Sequence, residues 1–417
     1  MLWTRSLVAL LVCWSAASAG HWPQWLGPNR DGVSSAIVPP WKAAPRVVWR
    51  GPVGEGNSSP VVADGRVFLH AKVKDKDEEE VLVLDARNGK ELWRKSYPRA
   101  AFKSLYGNGP RATPAVAGNL VYTFSITGVL TCYETATGVQ KWQVDTLKEF
   151  AARNLFFGMA CSPLVEGDLV LVSVGGKGAS IVAFDKNSGQ VIWKSLDDGA
   201  SYSSPVAFGE RSARQVVFLT QQGLVSLKPS DGSVFWKFPL VDKLLESSTT
   251  PARCGDILVA SSITYGSVGL HLENKDDRPA ASEMWKNEAL TSYFSTPIAV
   301  GTDHIYMVTG TKPPAIFNQA KLHCLDAKTG KDLWPKPKVV GQYHATLLRT
   351  GDSKLLMLEE AGNLVLLDPD PKEYKELARS KVCGHTWAHP ALANGRLYVR
   401  DDKEVICLQL EPNSKSD

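Results

Sequence analysis

The residues best suited to chemistry are few and scattered. His385 and His389 stand four apart, a spacing that joins two imidazoles on one zinc ion only from one face of a helix. This stretch leads into a short apolar strand pattern, so a structural role is expected for the pair. Asp75-Lys-Asp-Glu-Glu-Glu80 offers hard oxygen ligands of the kind Ca²⁺ takes. A connection between strands needs charge and nothing else, so a solvated hairpin tip is the simpler expectation. No G-x-S-x-G, H-E-x-x-H, P-loop or EF-hand pattern occurs. The cysteines form no C-x-x-C, so neither a zinc ribbon nor a thioredoxin-type site is indicated. Motifs alone therefore assign no catalytic, cofactor-binding or metal-binding residue. Scattered Ser, His and Asp could still converge in space.

Bulk properties narrow the classes further. Lys and Arg number 47 against 43 Asp and Glu, and the signs are mixed, which disfavours nucleic acid and polybasic membrane contact as functions. Arg5 is the only charge in the first twenty residues; an apolar run follows to Trp14, and Ala17-Ser18-Ala19 forms a cleavage site. Residues 1–19 read as a secretory signal peptide, so a periplasmic or secreted location is expected. Val12, where a lipobox has a small residue, argues against lipidation of Cys13. No later run approaches the ~20 apolar residues of a spanning helix. Membrane association is thus expected only through a partner.

The elements that must position any site are written in a repeat. Trp49, Trp93, Trp142, Trp193, Trp236, Trp285 and Trp334 are 44, 49, 51, 43, 49 and 49 residues apart. Gly89, Gly138, Gly189, Gly232 and Gly330 each precede their tryptophan by four residues. Ser59-Pro60, Thr113-Pro114, Ser162-Pro163, Ser204-Pro205, Thr250-Pro251, Thr296-Pro297 and His389-Pro390 each open an apolar run, and Ala345-Thr346 is an eighth start without proline. Each unit reads as four short strands with no helical period, which is the pattern of a propeller blade. The fold class is therefore all-β: an eight-bladed β-propeller of four-stranded antiparallel blades. Trp49 precedes the first start and has no blade of its own, while the last start has only three strands. The N-terminal strand should complete the last blade and so remove the free sheet edges. The expected organisation is a leader over 20–44, one propeller over 45–411 and a polar tail over 412–417. Blade seven, His344–Lys381, lacks both Trp and turn Gly and is expected to be the irregular one.

Two consequences follow from the repeat. Cys132, Cys324 and Cys407 occupy third strands of non-adjacent blades, too far apart to pair and best read as small core residues. Residues just before each inner strand should line one rim of the central channel. Candidates for a binding face there are Asn57, Tyr106, Asn108, Arg111, Phe157, Tyr202, Tyr293, Phe294, Tyr343, His344, His385, Trp387 and His389, with Met159, Glu246 and Gln342 in the same set. Aromatics with a few polar groups are what interfaces and ligand pockets favour. The competing expectation is that these rings pack between blades.

At Leu84-Asp85-Ala86-(x)2-Gly89-Lys90-(x)2-Trp93 and Leu325-Asp326-Ala327-Lys328-Thr329-Gly330-Lys331-(x)2-Trp334 the unit resembles the pyrroloquinoline-quinone-like (PQQ-like) propeller repeat. The resemblance runs from about Trp22 to Leu410. It implies one of two functions. One branch, the quinoprotein alcohol dehydrogenases, binds PQQ and Ca²⁺, carries long insertions and usually a vicinal disulfide; this chain has neither, and none of their site residues can be carried over. The other, BamB-like branch is non-catalytic and serves outer-membrane β-barrel assembly as a protein-binding scaffold. Length and lack of inserts place this chain nearer the second. The expectation is a monomeric, exported, non-catalytic scaffold that binds a protein partner in the cell envelope through the aromatic face, with no cofactor. The alternative is a PQQ/Ca-dependent oxidoreductase of alcohols or aldoses.

Overall fold

The computed structural model describes residues 20–311 and 319–410. The expected signal peptide over 1–19 and the expected polar tail over 412–417 fall outside the described residues. Eight four-stranded sheets, each paired in simple antiparallel order, stand in a ring. Blades one to seven run over Val61–Pro98, Ala115–Asp145, Leu164–Ser195, Val206–Pro239, Ala252–Asn287, Ile298–Gly341 and Ala345–Lys381. Blade eight takes Ala391–Ala393, Arg396–Arg400 and Glu404–Gln409 from the C-terminal end and its outer strand, Arg46–Pro52, from the N-terminal side. Arg46 pairs with Gln409 and Trp49 with Cys407, so the ring closes through backbone hydrogen bonds. The only described helical segments are Thr146–Glu149 and the 3-10 turn Arg211–Ala213.

The tryptophan spacing records contact between blades. Trp49, Trp93, Trp142, Trp193, Trp236 and Trp285 are each 8% exposed, the mark of one slot used repeatedly. The indole of one blade lies flat over the turn glycine of the next. An added Cβ would meet the ring at 2.6 Å on Gly89, 2.7 Å on Gly138, 2.6 Å on Gly189, 2.4 Å on Gly232 and 2.3 Å on Gly330. These five glycines also sit at φ between +65° and +73°, where only glycine is unstrained. Each indole N–H then reaches a carbonyl of that neighbouring turn: Trp49 to Ala86 at 3.1 Å, Trp93 to Thr135 at 2.9 Å, Trp142 to Lys186 at 3.1 Å, Trp193 to Pro229 at 2.8 Å and Trp285 to Ala327 at 2.8 Å. Trp236 differs because blade five has no turn glycine there; its long outer hairpin turns at Asp276-Asp277, and Trp236 bonds Gln215 of its own blade.

Blade seven is regular, against expectation. Its strands pair from Ala345↔Glu359 to Asn363↔Lys381 with the same outer-strand bulge as other blades, here at Leu366/Leu367, and Ala378 takes the register position that tryptophan holds elsewhere. The leader supplies the missing indole: Trp41 packs on the cluster containing Ala378 and donates to Ser380 Oγ at 2.9 Å. Blade six carries the irregularity instead. Its outer strand is only Lys338–Gly341, because Pro335 and Pro337 cannot donate to the ladder. Trp334 still lies near its usual place, 5% exposed and bonded to Asp370 O at 3.0 Å. The acidic run is also corrected. Asp75 and Lys76 are exposed at the hairpin tip, but Glu79 and Glu80 are buried strand residues. Burial pushes the Glu79 carboxyl up, yet hydrogen bonds from His70, Tyr97 and the Ile126 N–H outweigh it and hold the group below its ordinary value. All six described cysteines are buried and unpaired.

If the indole-on-glycine contact joins the blades, Trp142→Ala should cost roughly 3–5 kcal/mol in urea unfolding. Gly189→Ala should cost several kcal/mol as well, and the double variant clearly less than the sum of the two. Additive losses would mean that the two residues are not coupled.

Candidate functional site

The channel wall is assembled by the same hydroxyls that precede the prolines. Each accepts the backbone N–H of the equivalent residue in the preceding blade: His389 to Ser59 at 3.0 Å, Ser59 to Thr113 at 3.1 Å, Thr113 to Ser162 at 3.0 Å, Ser162 to Ser204 at 2.9 Å and Thr250 to Thr296 at 3.2 Å. Short Ser and Thr side chains suit this place because they satisfy buried N–H groups without filling the channel.

One end of the channel is stopped by the leader. Trp22 pairs with Val62 of blade one, and Val116 of blade two donates to Pro23 O. Arg30 donates to Ser162 O and Pro163 O in blade three. Val33 pairs with Arg349 in blade seven, and Ser34 Oγ reaches Leu392 O in blade eight. Trp25 enters the channel itself: its N–H donates to Thr250 Oγ1 at 2.9 Å, and its ring meets His389 edge-on at 4.6 Å. Burial lowers the Arg30 guanidinium to about 10, which still leaves it charged at neutral pH.

Above Trp25 lies a cavity of about 140 Å³. Ten of the thirteen rim candidates line it: Asn57, Tyr106, Arg111, Phe157, Tyr202, Tyr293, Phe294, His344, Trp387 and His389. Trp387 is its centrepiece, stacked with Phe294 at 5.0 Å and with Tyr106 at 6.0 Å. Arg111 holds two aromatic loops in place, donating to Phe157 O at 2.7 Å, Tyr106 O at 3.1 Å and Gly107 O at 3.2 Å. Tyr202 OH accepts the Phe157 N–H, and Tyr293 OH donates to Glu246. Three candidates lie outside this cavity. Tyr343 and His385 touch Trp387 from its outer side, with ring centres at 6.0 and 6.4 Å, and His385 lines an adjoining recess with Leu105. Asn108 braces its own loop, accepting from Ser104 N and donating its N–H to Glu55. Met159 is fully buried core, and Gln342 binds Glu360 through its backbone. Trp25 was not foreseen, because the leader lies outside the repeat that generated the candidates.

Burial holds His344 and His389 in their neutral form. Burial pushes the His344 imidazole down to about 4, His385 adds to the fall and the Trp387 backbone opposes it. Burial also holds His389 well below its ordinary value, with His344 contributing. His344 Nδ1 pairs with Ser295 Oγ at 3.0 Å. Around the mouth, the loops between blades carry Leu105 at 97% and Phe156 at 79% exposure, with Leu244 and Leu245 also exposed.

The model of the family of outer membrane protein assembly factor BamB matches residues 41–101 and 77–336. The chain belongs to that family. It is 22% identical over 301 residues to the factor of Yersinia pestis, covering 69% of this chain and 71% of that one. Among solved structures, BamB of Moraxella catarrhalis superposes with a TM-score of 0.61 at 18% identity, over 88% of this chain and 98% of that one. The quinohemoprotein alcohol dehydrogenase of Comamonas testosteroni superposes at 0.63 with 13% identity, over 97% and 82% of the two chains. At these identities the superpositions establish the propeller fold and no more.

The residues present do not fit PQQ with Ca²⁺. The quinone is a tricarboxylate and the ion takes six to eight oxygens. The cavity offers one carboxylate, Glu246, engaged by Tyr293, and one cation, Arg111, committed to backbone carbonyls. Among the described residues no three His, Cys, Asp or Glu lie where they could share a metal. The volume is also well below the roughly 300 Å³ at which cofactor pockets begin.

A histidine that must stay neutral in the folded state destabilises the protein in acid. The His344 contribution should be complete above pH about 6.5 and should shrink as pH falls toward 4. Urea unfolding should show a loss of about 2 kcal/mol at pH 5 from this residue, absent in His344→Leu. An identical pH dependence in both proteins would refute the assignment.

Proposed function

We propose that this chain is an exported, non-catalytic scaffold of the cell envelope that serves outer-membrane protein assembly. It grips a protein partner with the apolar rim of its channel mouth. The observation that carries the docking face is the pair Leu105 and Phe156, 97% and 79% exposed on neighbouring loops beside the edge-to-face aromatics Tyr106 and Phe157. Large apolar side chains held out in solvent around a concavity mark an interaction surface. Family membership supports assembly as the setting, because the family model and the Yersinia pestis relative both carry the name outer membrane protein assembly factor. Export rests on residues 1–19, with the mature chain expected to begin at Gly20. Among the described residues no helix is long and apolar enough to cross a membrane.

The test is affinity capture from the native envelope with wild type and with Leu105→Asp/Phe156→Asp. Mass spectrometry should find an outer-membrane assembly component that the variant loses by at least ten-fold, with Tm unchanged within about 2 °C. Equal capture would remove the mouth as the docking face. The oxidoreductase alternative is checked separately: protein mixed with PQQ and Ca²⁺ should not reduce a dye with alcohols or aldoses. Dye reduction abolished by EDTA would overturn the scaffold reading.

A further inference from the structure

The mouth cavity contains polar atoms that the fold leaves unused. His389 Nδ1 and Nε2 and Trp387 Nε1 are buried and have no hydrogen-bond partner among the described residues. Leaving such atoms unpaired costs on the order of 1–3 kcal/mol each, so they call for an occupant that bonds them. The charged groups do not supply one. Arg111 is committed to three carbonyls and Glu246 to Tyr293.

Size and wall chemistry restrict the occupant. The cavity is about 140 Å³, and an apolar cavity of roughly 150 Å³ admits one benzene ring. Trp387, Phe294 and Tyr106 line it, with Trp387 stacked on Phe294 at 5.0 Å and on Tyr106 at 6.0 Å, so the wall is aromatic and suits a planar apolar ring. A neutral imidazole offers one donor and one acceptor, and the indole N–H a further donor. A hydroxyl both donates and accepts, so it can serve either group. A carboxylate would meet no free cation, and an ammonium no free anion.

The geometry points to a socket for one phenolic side chain, so that the partner docked on the rim inserts a tyrosine between Trp387 and His389. This rests on the proposed docking face and adds to it the chemistry of the residue that enters. Trp25 below sets the depth of insertion, since its ring closes the channel against His389.

The probes are p-cresol, which is the tyrosine side chain, and toluene, which lacks only the hydroxyl. Ligand-observed NMR on the mature protein should give p-cresol at least five-fold tighter binding than toluene. In His389→Leu the ratio should fall to about one while toluene still binds; retained Tm and toluene binding show that the variant is folded. Should His389→Leu unfold, Trp387→Phe removes the indole donor, keeps the ring, and should also lower the ratio. Saturating p-cresol should weaken partner capture at least five-fold. No p-cresol binding, or equal affinity for p-cresol and toluene in wild type, overturns the socket. If capture still depends on Leu105 and Phe156 but ignores bound p-cresol, the socket fails and the docking face stands.

Discussion

The structure depends on one contact repeated around the ring: an indole lying on a glycine of the next blade, with its N–H bonded to a carbonyl of the same turn. Each contact ties a sheet to its neighbour at the outer edge. The glycine is required twice, once for its positive φ and once because the ring occupies the space of a Cβ. The Ser and Thr hydroxyls do the corresponding work at the inner edge, passing hydrogen bonds from blade to blade around the channel. With both edges fixed by local rules, the sheets need little else to set their angle. A ring must also close, and Trp49 closes it by making the same contact from the N-terminal strand onto blade one.

This explains why the fold was legible and the site only partly so. Interblade contacts recur, so their residues recur, and the period of Trp, Gly and Ser/Thr-Pro reports blade number, strand order and closure directly. Exceptions were harder to place. Blade seven lacks its tryptophan but keeps its register because Ala378 fills the slot and Trp41 of the leader covers it. Blade six has its tryptophan, and the two prolines after it shorten the strand. The signal for that was present in Trp334-Pro335-Lys336-Pro337, where proline outweighs the landmark.

The rim was readable as a set because every blade contributes residues at the same phase. Its members sort by loop conformation, which the repeat does not encode. Asn108, Tyr343 and His385 share the phase of the cavity residues yet turn outward or brace their own loops. Trp25 reaches the channel from a segment with no period, held by contacts to blades around the ring. Glu79 and Glu80 escaped a charge-run reading because their partners His70, Tyr97 and Arg94 are contributed by adjacent strands. The face that results is an aromatic mouth over a cavity of about 140 Å³, flanked by exposed Leu105 and Phe156. That combination suits recognition of a protein segment, and its donor set does not suit a quinone with a metal.

The most direct measurement is site-specific photo-crosslinking in the intact envelope. A photoreactive residue is placed at Leu105 on the mouth or at Ile192 on an outer strand. The account predicts a discrete adduct with an outer-membrane assembly protein from position 105 and none from position 192. Adducts from position 192 with none from 105 would contradict it and move the interface to the outer wall of the ring.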